Sequence, residues 1–354
     1  DAIEKLKKCK FDLVFIDLEM PRMDGVELVR CIAKDKLAKS VIILSSKDPS
    51  LILSIGTMAE SDGLNVLGTF QKPMQPNDLL ASLKQLRTLE LKKTNKEEKH
   101  ELYNRVKKQD ILDGIEKEQI TLFYQPKLTT KGLLLKGVEA LARWQHPKLG
   151  SISPVEFITA AEEFGIISKL THYLFNIALQ QKVSWKKHGV NFHLAFNLSP
   201  LSLADKGLAE EISTQVARYN LSPNEIVLEI TENAISGEVS NAIETLAKLR
   251  LKGFNLAIDD YGTGFANAQQ LSRVPATELK LDRVLVDNVT TRPQQQAILK
   301  STVNLAKELN LNTVAEGIEN FEDFQLLLRL KIDLVQGYYF AKPMSAGALI
   351  EWLK

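Results

Sequence analysis

Acidic residues recur where short apolar runs end. Glu139 sits in GVEAL, Glu229 closes IVLE, Asp259 and Asp260 close LAIDD, and Glu316 closes TVAE. Asn197 ends LAFN, Lys280 and Asp282 lie in LKLD, and Gln336 ends LVQ. A carboxylate taken out of water is costly unless something pairs with it, and two adjacent aspartates repel. If these positions meet, the lysine at 280 cannot neutralise five acids. Hard oxygen donors with one neutral amide suit Mg²⁺ or Mn²⁺, and the lack of clustered histidine or cysteine argues against structural zinc. Adjacent aspartates can each face a different ion. Two such ions, about 3.5–4 Å apart, clamp the attacking and leaving oxygens of an in-line phosphoryl displacement. Gly262 and Gly264 then allow a turn that folds the following loop close over the site. Singly, each of these residues has a plainer reading. An acid at a strand end is commonly a helix cap, as Glu232 is to the segment after TEN; Asp282 can pair with Arg283; Gln336 alone says nothing. Five strand ends carrying the same chemistry favour a metal site.

The elements that must bring them together lie between 110 and 354. Eight strand-like runs occur there: TLFYQPK, GVEALARW, FHLAFNLSP, EIVLEITEN, NLAIDDYG, ATELKLDR, NTVAEGIE and DLVQGYYFA. Helical patterns such as PVEFITAAEEFGII and QQAILKSTVNLAKELN separate most of them. Eight strand–helix units in about 245 residues predict a TIM-type (β/α)8 barrel, whose polar residues collect at the C-terminal strand ends. An open doubly wound sheet is the other candidate; no GxGxxG or P-loop opens the first unit.

Residues 1–88 form a second α/β domain. FDLVFID, VIILSS and NVLGTFQKP read as strands. GVELVRCIAK reads as a helix with Val26, Val29 and Ile32 or Ala33 on one face, and PNDLLASLKQL as a helix capped by Asn77. Residues 89–109 are dominated by charge and contain neither glycine nor proline, which predicts a solvated helical connector or a helix that pairs with a second copy of the chain.

The 354 residues are 44% hydrophobic and 25% charged, with 45 Lys+Arg against 44 Asp+Glu. A net charge of +1 gives no reason to expect binding to DNA or to an anionic membrane. No apolar run has the length of a membrane span, and no signal peptide is visible. The two cysteines, Cys9 and Cys31, have no metal-ligand spacing, and a reduced cytoplasmic location is expected.

The tripeptide Glu139-Ala140-Leu141, with YQPK, AFNLSP, EITE, DDYGTG, KLDR, AEGIE and QGYYFAKP in order over 110–354, resembles the EAL-domain phosphodiesterases, which cut the bacterial messenger cyclic di-GMP to linear pGpG. The resemblance implies Glu139, Asn197, Glu229 and Asp259 as metal ligands, with Asp260 and Glu316 completing a second position for Mg²⁺ or Mn²⁺. It implies Lys280 as the residue that holds the attacking water, Glu316 as a candidate general base, and Glu139 as essential to catalysis. Gln125, Arg143, Asp282 and Gln336 would contact substrate or orient the site, and Glu232 would anchor the loop after Asp260. That loop departs from the family's DFGTGYSSL: Phe265, Ala266 and Asn267 stand where a tyrosine and two serines are usual. A homodimer or higher oligomer through the EAL domain is expected. The alternative within the family is a catalytically weak EAL domain that binds cyclic di-GMP as an effector; an unrelated metal-dependent barrel enzyme would not explain YQPK or the tripeptide.

FIDLEMPRMDG, VIILSS and QKP resemble a response-regulator receiver, with Asp17 as phosphoacceptor, Ser45 as switch hydroxyl and Lys72 as phosphate-sensing lysine; a sensor histidine kinase is the implied partner. A carboxylate, a hydroxyl and a lysine can all meet one phosphoryl group. Sixteen residues precede Asp17, so the receiver's first strand, with its Mg²⁺-holding acidic pair, its first helix and its second strand are expected to be absent from this chain.

Overall fold

The structure, a computed structural model, describes residues 2–8, 11–20, 25–46, 55–56, 58–60, 62–74, 79, 82, 86, 105–235, 240–263 and 268–354. The chain divides into two compact units, residues 1–104 and 105–354. The expected helical connector falls mostly outside the described residues, as do Gly264 and the Phe265-Ala266-Asn267 departure. Of the expected helix over 76–86, residues 79, 82 and 86 are described, and all three are helical.

In the front unit β1 (Phe11–Asp17), β2 (Ala38–Ser45) and β3 (Asn65–Gln71) form a parallel sheet in that order. The helix Gly25–Asp35 buries Leu28, Val29 and Ile32, which share a core with Ile16, Val41 and Ile43. Burial of Ser40–Ile43 on both faces of β2 explains its unbroken apolar run, whereas Phe11 and Phe15 of β1 are exposed.

The second unit contains all eight expected barrel strands: β4 (Ile120–Thr129), β5 (Leu135–His146), β7 (His193–Asn197), β8 (Ile226–Thr231), β9 (Asn255–Tyr261), β10 (Glu278–Leu281), β11 (Asn312–Ala315) and β12 (Leu334–Val335), with a short β6 (Gly150–Ile152) paired to the outer end of β5. The ring closes through β4, which runs antiparallel to both β5 and β12. The expectation of eight repeated strand–helix units is corrected here. β4 and β5 form a hairpin across residues 130–134, and so short a connection can join only antiparallel strands.

Register sets what faces the barrel axis. Glu139 pairs with Gln125 and Ala195, Asn197 with Glu229, Ala257 with Glu278, and Lys280 with Val314. Since side chains alternate between faces, the residue two positions deeper on each strand shares the inner face. Those deeper positions are Lys127, Gly137, Ala195, Val227, Ala257, Glu278, Val314 and Leu334, all buried. Beneath the polar mouth the barrel is therefore plugged mainly by small apolar residues, and Lys127 and Glu278 are the exceptions. The outward faces pack against the surrounding helices, as in the edge-to-face pair of Tyr124 and Trp185 at 4.7 Å. No helix among the described residues is long and apolar enough to cross a membrane.

Candidate active site

Adjacent strand residues ordinarily point to opposite faces, so Asp259 and Asp260 should diverge. A bulge brings them together. Between paired positions β9 advances from Ile258 to Tyr261 while β10 advances only from Leu279 to Leu281, so Asp259 and Asp260 together oppose Lys280. Asp260 takes a left-handed backbone conformation, φ 56°. An extra residue of this kind re-aims a side chain at the cost of local strain. Gly262, at φ 106°, follows; a Cβ there would lie 2.5 Å from Leu285 Cδ1. Its N–H donates to Glu232 Oε2 at 2.9 Å, so Glu232 ties the turn to the end of β8.

Lys280 is the hub. Its buried ammonium lies 2.9 Å from Asp259 Oδ1, 3.0 Å from Glu316 Oε1, 3.1 Å from Glu229 Oε2 and 3.6 Å from Glu139 Oε2. Burial lowers its pKa, but these carboxylates outweigh burial and push the ammonium pKa upward. Glu139 is held from both sides: Asn197 Nδ2 donates to Oε1 at 2.9 Å and Gln336 Nε2 to Oε2 at 2.7 Å. Gln336 Nε2 also reaches Gln125 Oε1 at 3.0 Å, and Gln125 Nε2 donates to the Ala341 carbonyl at 3.0 Å. Burial pushes the Glu139 carboxyl up, yet the lysine charges and these amides prevail and hold it at about 2. Glu139 itself lies in mid-strand, because β5 runs on to His146 and pairs there with β6.

Other acids are pushed the opposite way. Burial, followed by repulsion from Glu139, raises the Glu229 carboxyl to about 7. Burial and then Asp259 raise Asp260 to about 6. Burial raises Glu316 well above the carboxylate range despite Lys280. Carboxyls this far from their ordinary values mark a site lacking positive charge.

The donor set fits divalent cations. Glu139, Glu229 and Asp259 each offer an oxygen within 4.8 Å of the others, and so do Asp259, Asp260 and Glu316; Asp259 belongs to both groups. Glu229 Oε2 and Glu316 Oε1 are buried and accept no hydrogen bond, although Lys280 is near both. Oxygen-only donors of this kind suit a hard divalent cation.

Cavities flank the acids. One of about 260 Å³ is lined by Gln125, Glu139, Glu316, Gln336, Arg283 and Tyr338. Another of about 430 Å³, largely apolar, runs past Leu141, Arg143, Val155 and Ile158 to Asn197 and Asp260. Arg143 donates to the Ala142 carbonyl at 2.8 Å and lies over the Phe123 ring. Asp282 caps the helix Arg283–Val286 by accepting from Val284 N at 2.7 Å, while Arg283 turns to Glu319 at 2.6 Å. Glu319, Lys127 and Glu278 are not among the site residues that the sequence pattern predicts. Lys127 lies 2.9 Å from Glu229 Oε1 and 3.7 Å from Glu278 Oε2. A signal was present, since the charged residues of YQPK and ELKLD interrupt otherwise apolar strand interiors.

In the front unit the three strand ends bring Asp17, Ser45 and Lys72 together. Lys72 Nζ donates to Asp17 Oδ2 at 2.5 Å, Glu19 N donates to Oδ1 at 3.0 Å, and Lys72 N donates to the Ser45 carbonyl at 2.9 Å. The lysine bond first, and the Glu19 N–H second, hold the Asp17 carboxyl below its ordinary range.

Fold and site thus define an α/β barrel whose mouth gathers carboxylates around a buried lysine. The EAL domain family model matches residues 108–343 and the response regulator receiver domain model matches residues 1–84. The chain belongs to the EAL domain family. The cyclic di-GMP phosphodiesterase RocR of Pseudomonas aeruginosa is 33% identical over 353 residues, covering 99% of this chain and 89% of RocR. The bifunctional diguanylate cyclase/cyclic di-GMP phosphodiesterase MucR of the same organism is 34% identical over 242 residues, 68% of this chain but only 35% of MucR. Among solved structures, the c-di-GMP complex of the PaMucR phosphodiesterase superposes with a TM-score of 0.65 at 34% identity, over 68% of this chain and 98% of that one. The cAMP- and cyclic-di-GMP-bound EAL enzyme Bd1971 gives 0.67 at 27% identity, over 80% and 77%.

Proposed function

We propose that the barrel hydrolyses cyclic di-GMP to linear pGpG with two divalent ions, Mg²⁺ or Mn²⁺, and that the receiver regulates it. The observation that carries this is the pair of carboxylate groups sharing Asp259 between two cavities. Glu139, Glu229, Asp259, Asp260 and Glu316, with Glu278 beneath them, face Lys280 and Lys127. Six carboxylates against two ammonium groups leave four negative charges, the complement of two divalent ions.

Glu139, Asn197, Glu229 and Asp259 would hold one ion, and Asp259, Asp260 and Glu316 the other. Such ions supply Lewis acidity that lowers the pKa of a water and neutralises the phosphodiester. Lys280 fixes the acids around one point and offers N–H donors to the water and to the oxyanion as charge develops. Glu316, whose Oε1 accepts no hydrogen bond, would take the water proton. The Gln336–Gln125 chain locks Glu139 before substrate arrives. Arg143, which lines the larger cavity, would meet a phosphate, and Asp282 would contact another part of the substrate. The apolar cavity suits a planar base, and the smaller polar cavity suits its partner.

Phosphorylation of Asp17 by a sensor histidine kinase, pairing of two copies through the barrel, and a cytoplasmic site of action complete the proposal. The test is incubation of the purified chain with cyclic di-GMP and Mg²⁺, Mn²⁺ or EDTA, with chromatography for pGpG. Metal-dependent product that Glu139→Ala abolishes is expected. Tight binding without cleavage under all conditions would instead make the domain an effector.

A further inference from the structure

We propose that Lys127 is a positioning residue that restricts Glu229 to one-oxygen coordination and so sets the preference of the site for Mg²⁺ over Ca²⁺. The inference rests on the metal-site reading above. Because β4 runs against its neighbours, the residue two positions after Gln125 lies deeper in the barrel rather than nearer the mouth. The small inward residues Ala195, Val227 and Ala257 leave room there for a lysine side chain, which is 3% exposed. Its ammonium reaches Glu229 Oε1 at 2.9 Å from below, and Glu278, anchored on β10, faces it at 3.7 Å.

The two oxygens of Glu229 therefore have different environments. Oε1 is occupied by Lys127. Oε2 accepts no hydrogen bond, is fully buried, and points at Lys280, around which Glu139, Asp259 and Glu316 also converge. One oxygen remains for an ion. Mg²⁺ takes near-ideal octahedral geometry, in which a carboxylate binds well through a single oxygen, whereas Ca²⁺ accepts more ligands and chelation by both oxygens. Without Lys127, Oε1 is an orphaned buried acceptor, and turning it onto the ion is its remaining source of compensation. That gain is available to Ca²⁺ and largely denied to Mg²⁺. Loss of the lysine charge strengthens binding of either divalent ion alike and cancels in the ratio of their affinities.

The experiment is calorimetric titration of the full, metal-stripped chain with Mg²⁺ alone and with Ca²⁺ alone, for wild type, Lys127→Met, Lys127→Met/Glu278→Leu and, as a buried lysine away from the mouth, Lys182→Met. The double variant also removes the partner charge, so it remains a folded test if orphaned Glu278 unfolds the single one. The expected result is a shift of at least about tenfold in the Mg²⁺/Ca²⁺ affinity ratio toward Ca²⁺ in both Lys127 variants and no shift in Lys182→Met. A ratio within about twofold of wild type in a folded Lys127 variant overturns the role of Lys127. Wild type that binds neither ion overturns the metal-site reading, and this proposal with it, before any variant is made.

Discussion

Replacing Glu229 by glutamine removes a ligand and yet stabilises the metal-free barrel. Glu229 is fully buried, and burial with repulsion from Glu139 lifts its carboxyl to about 7 from an ordinary 4.5. A folded-state value above the unfolded one means that folding holds the proton more tightly. The favourable contribution is complete below the unfolded value and disappears as pH rises through the folded one. Each pK unit is worth about 1.36 kcal/mol, so ionised Glu229 burdens the metal-free fold at about pH 8 by about 3 kcal/mol. Glutamine keeps the shape and an acceptor for Lys127 but never ionises. In EDTA at about pH 8, Glu229→Gln should therefore melt about 6–12 °C above wild type. The gap should close toward about pH 5, where wild type carries the proton itself. Mg²⁺ at about a thousandfold excess over Kd should reverse the order, because wild type gains about 4.1 kcal/mol, more than its deficit, and the variant has lost a ligand. Scanning calorimetry of the barrel transition across these conditions is the assay. A variant less stable than wild type in EDTA at about pH 8 would refute the charge-deficit argument on which the two-ion reading stands.

Further outcomes follow from single contacts. Glu232→Ala leaves the Gly262 N–H without its acceptor at 2.9 Å; hydrolysis should fall about tenfold or more while the melting temperature moves by only a few degrees, and steady-state rates beside a thermal melt check it. Gly337→Ala places a Cβ 2.2 Å from Ile318 O and 2.3 Å from Ile318 N; because backbone cannot yield as a side-chain tip can, a loss of about 3 kcal/mol or more is expected in urea unfolding. Arg105→Ala strands Glu156, which is 5% exposed and bound at 2.6 and 3.0 Å. A loss of about 1–3 kcal/mol with unchanged cyclic di-GMP affinity should appear in unfolding and titration experiments, since Arg105 is partly solvated and lies outside the site.

Much of the architecture was legible from residue order because it depends on local pattern. Apolar runs of strand length, most of them separated by helical periodicity, pointed to all eight barrel strands, and polar residues near the ends of such runs pointed to Asn197, Glu229, Asp259, Lys280, Glu316 and Gln336, while Glu139 lies in mid-strand. Strand direction was not legible. The hairpin of β4 and β5 reverses one member of the ring, and only the closed sheet shows that YQPK buries its lysine beneath the acids instead of presenting it at the rim. Nor could sequence show how neighbouring Asp259 and Asp260 serve one mouth. The alternation rule sends them apart, and a bulge opposite Lys280 with a left-handed residue turns them back. The amides of Gln125 and Gln336 were legible as polar residues near the site, but the bond between them joins residues 211 apart, and the bond from Gln336 to Glu139 joins residues 197 apart. Residue types and their spacing along one strand determine which chemistry is available. Register between strands decides which of those groups touch, and register belongs to the closed barrel, where a shift of one residue turns every side chain to the other face.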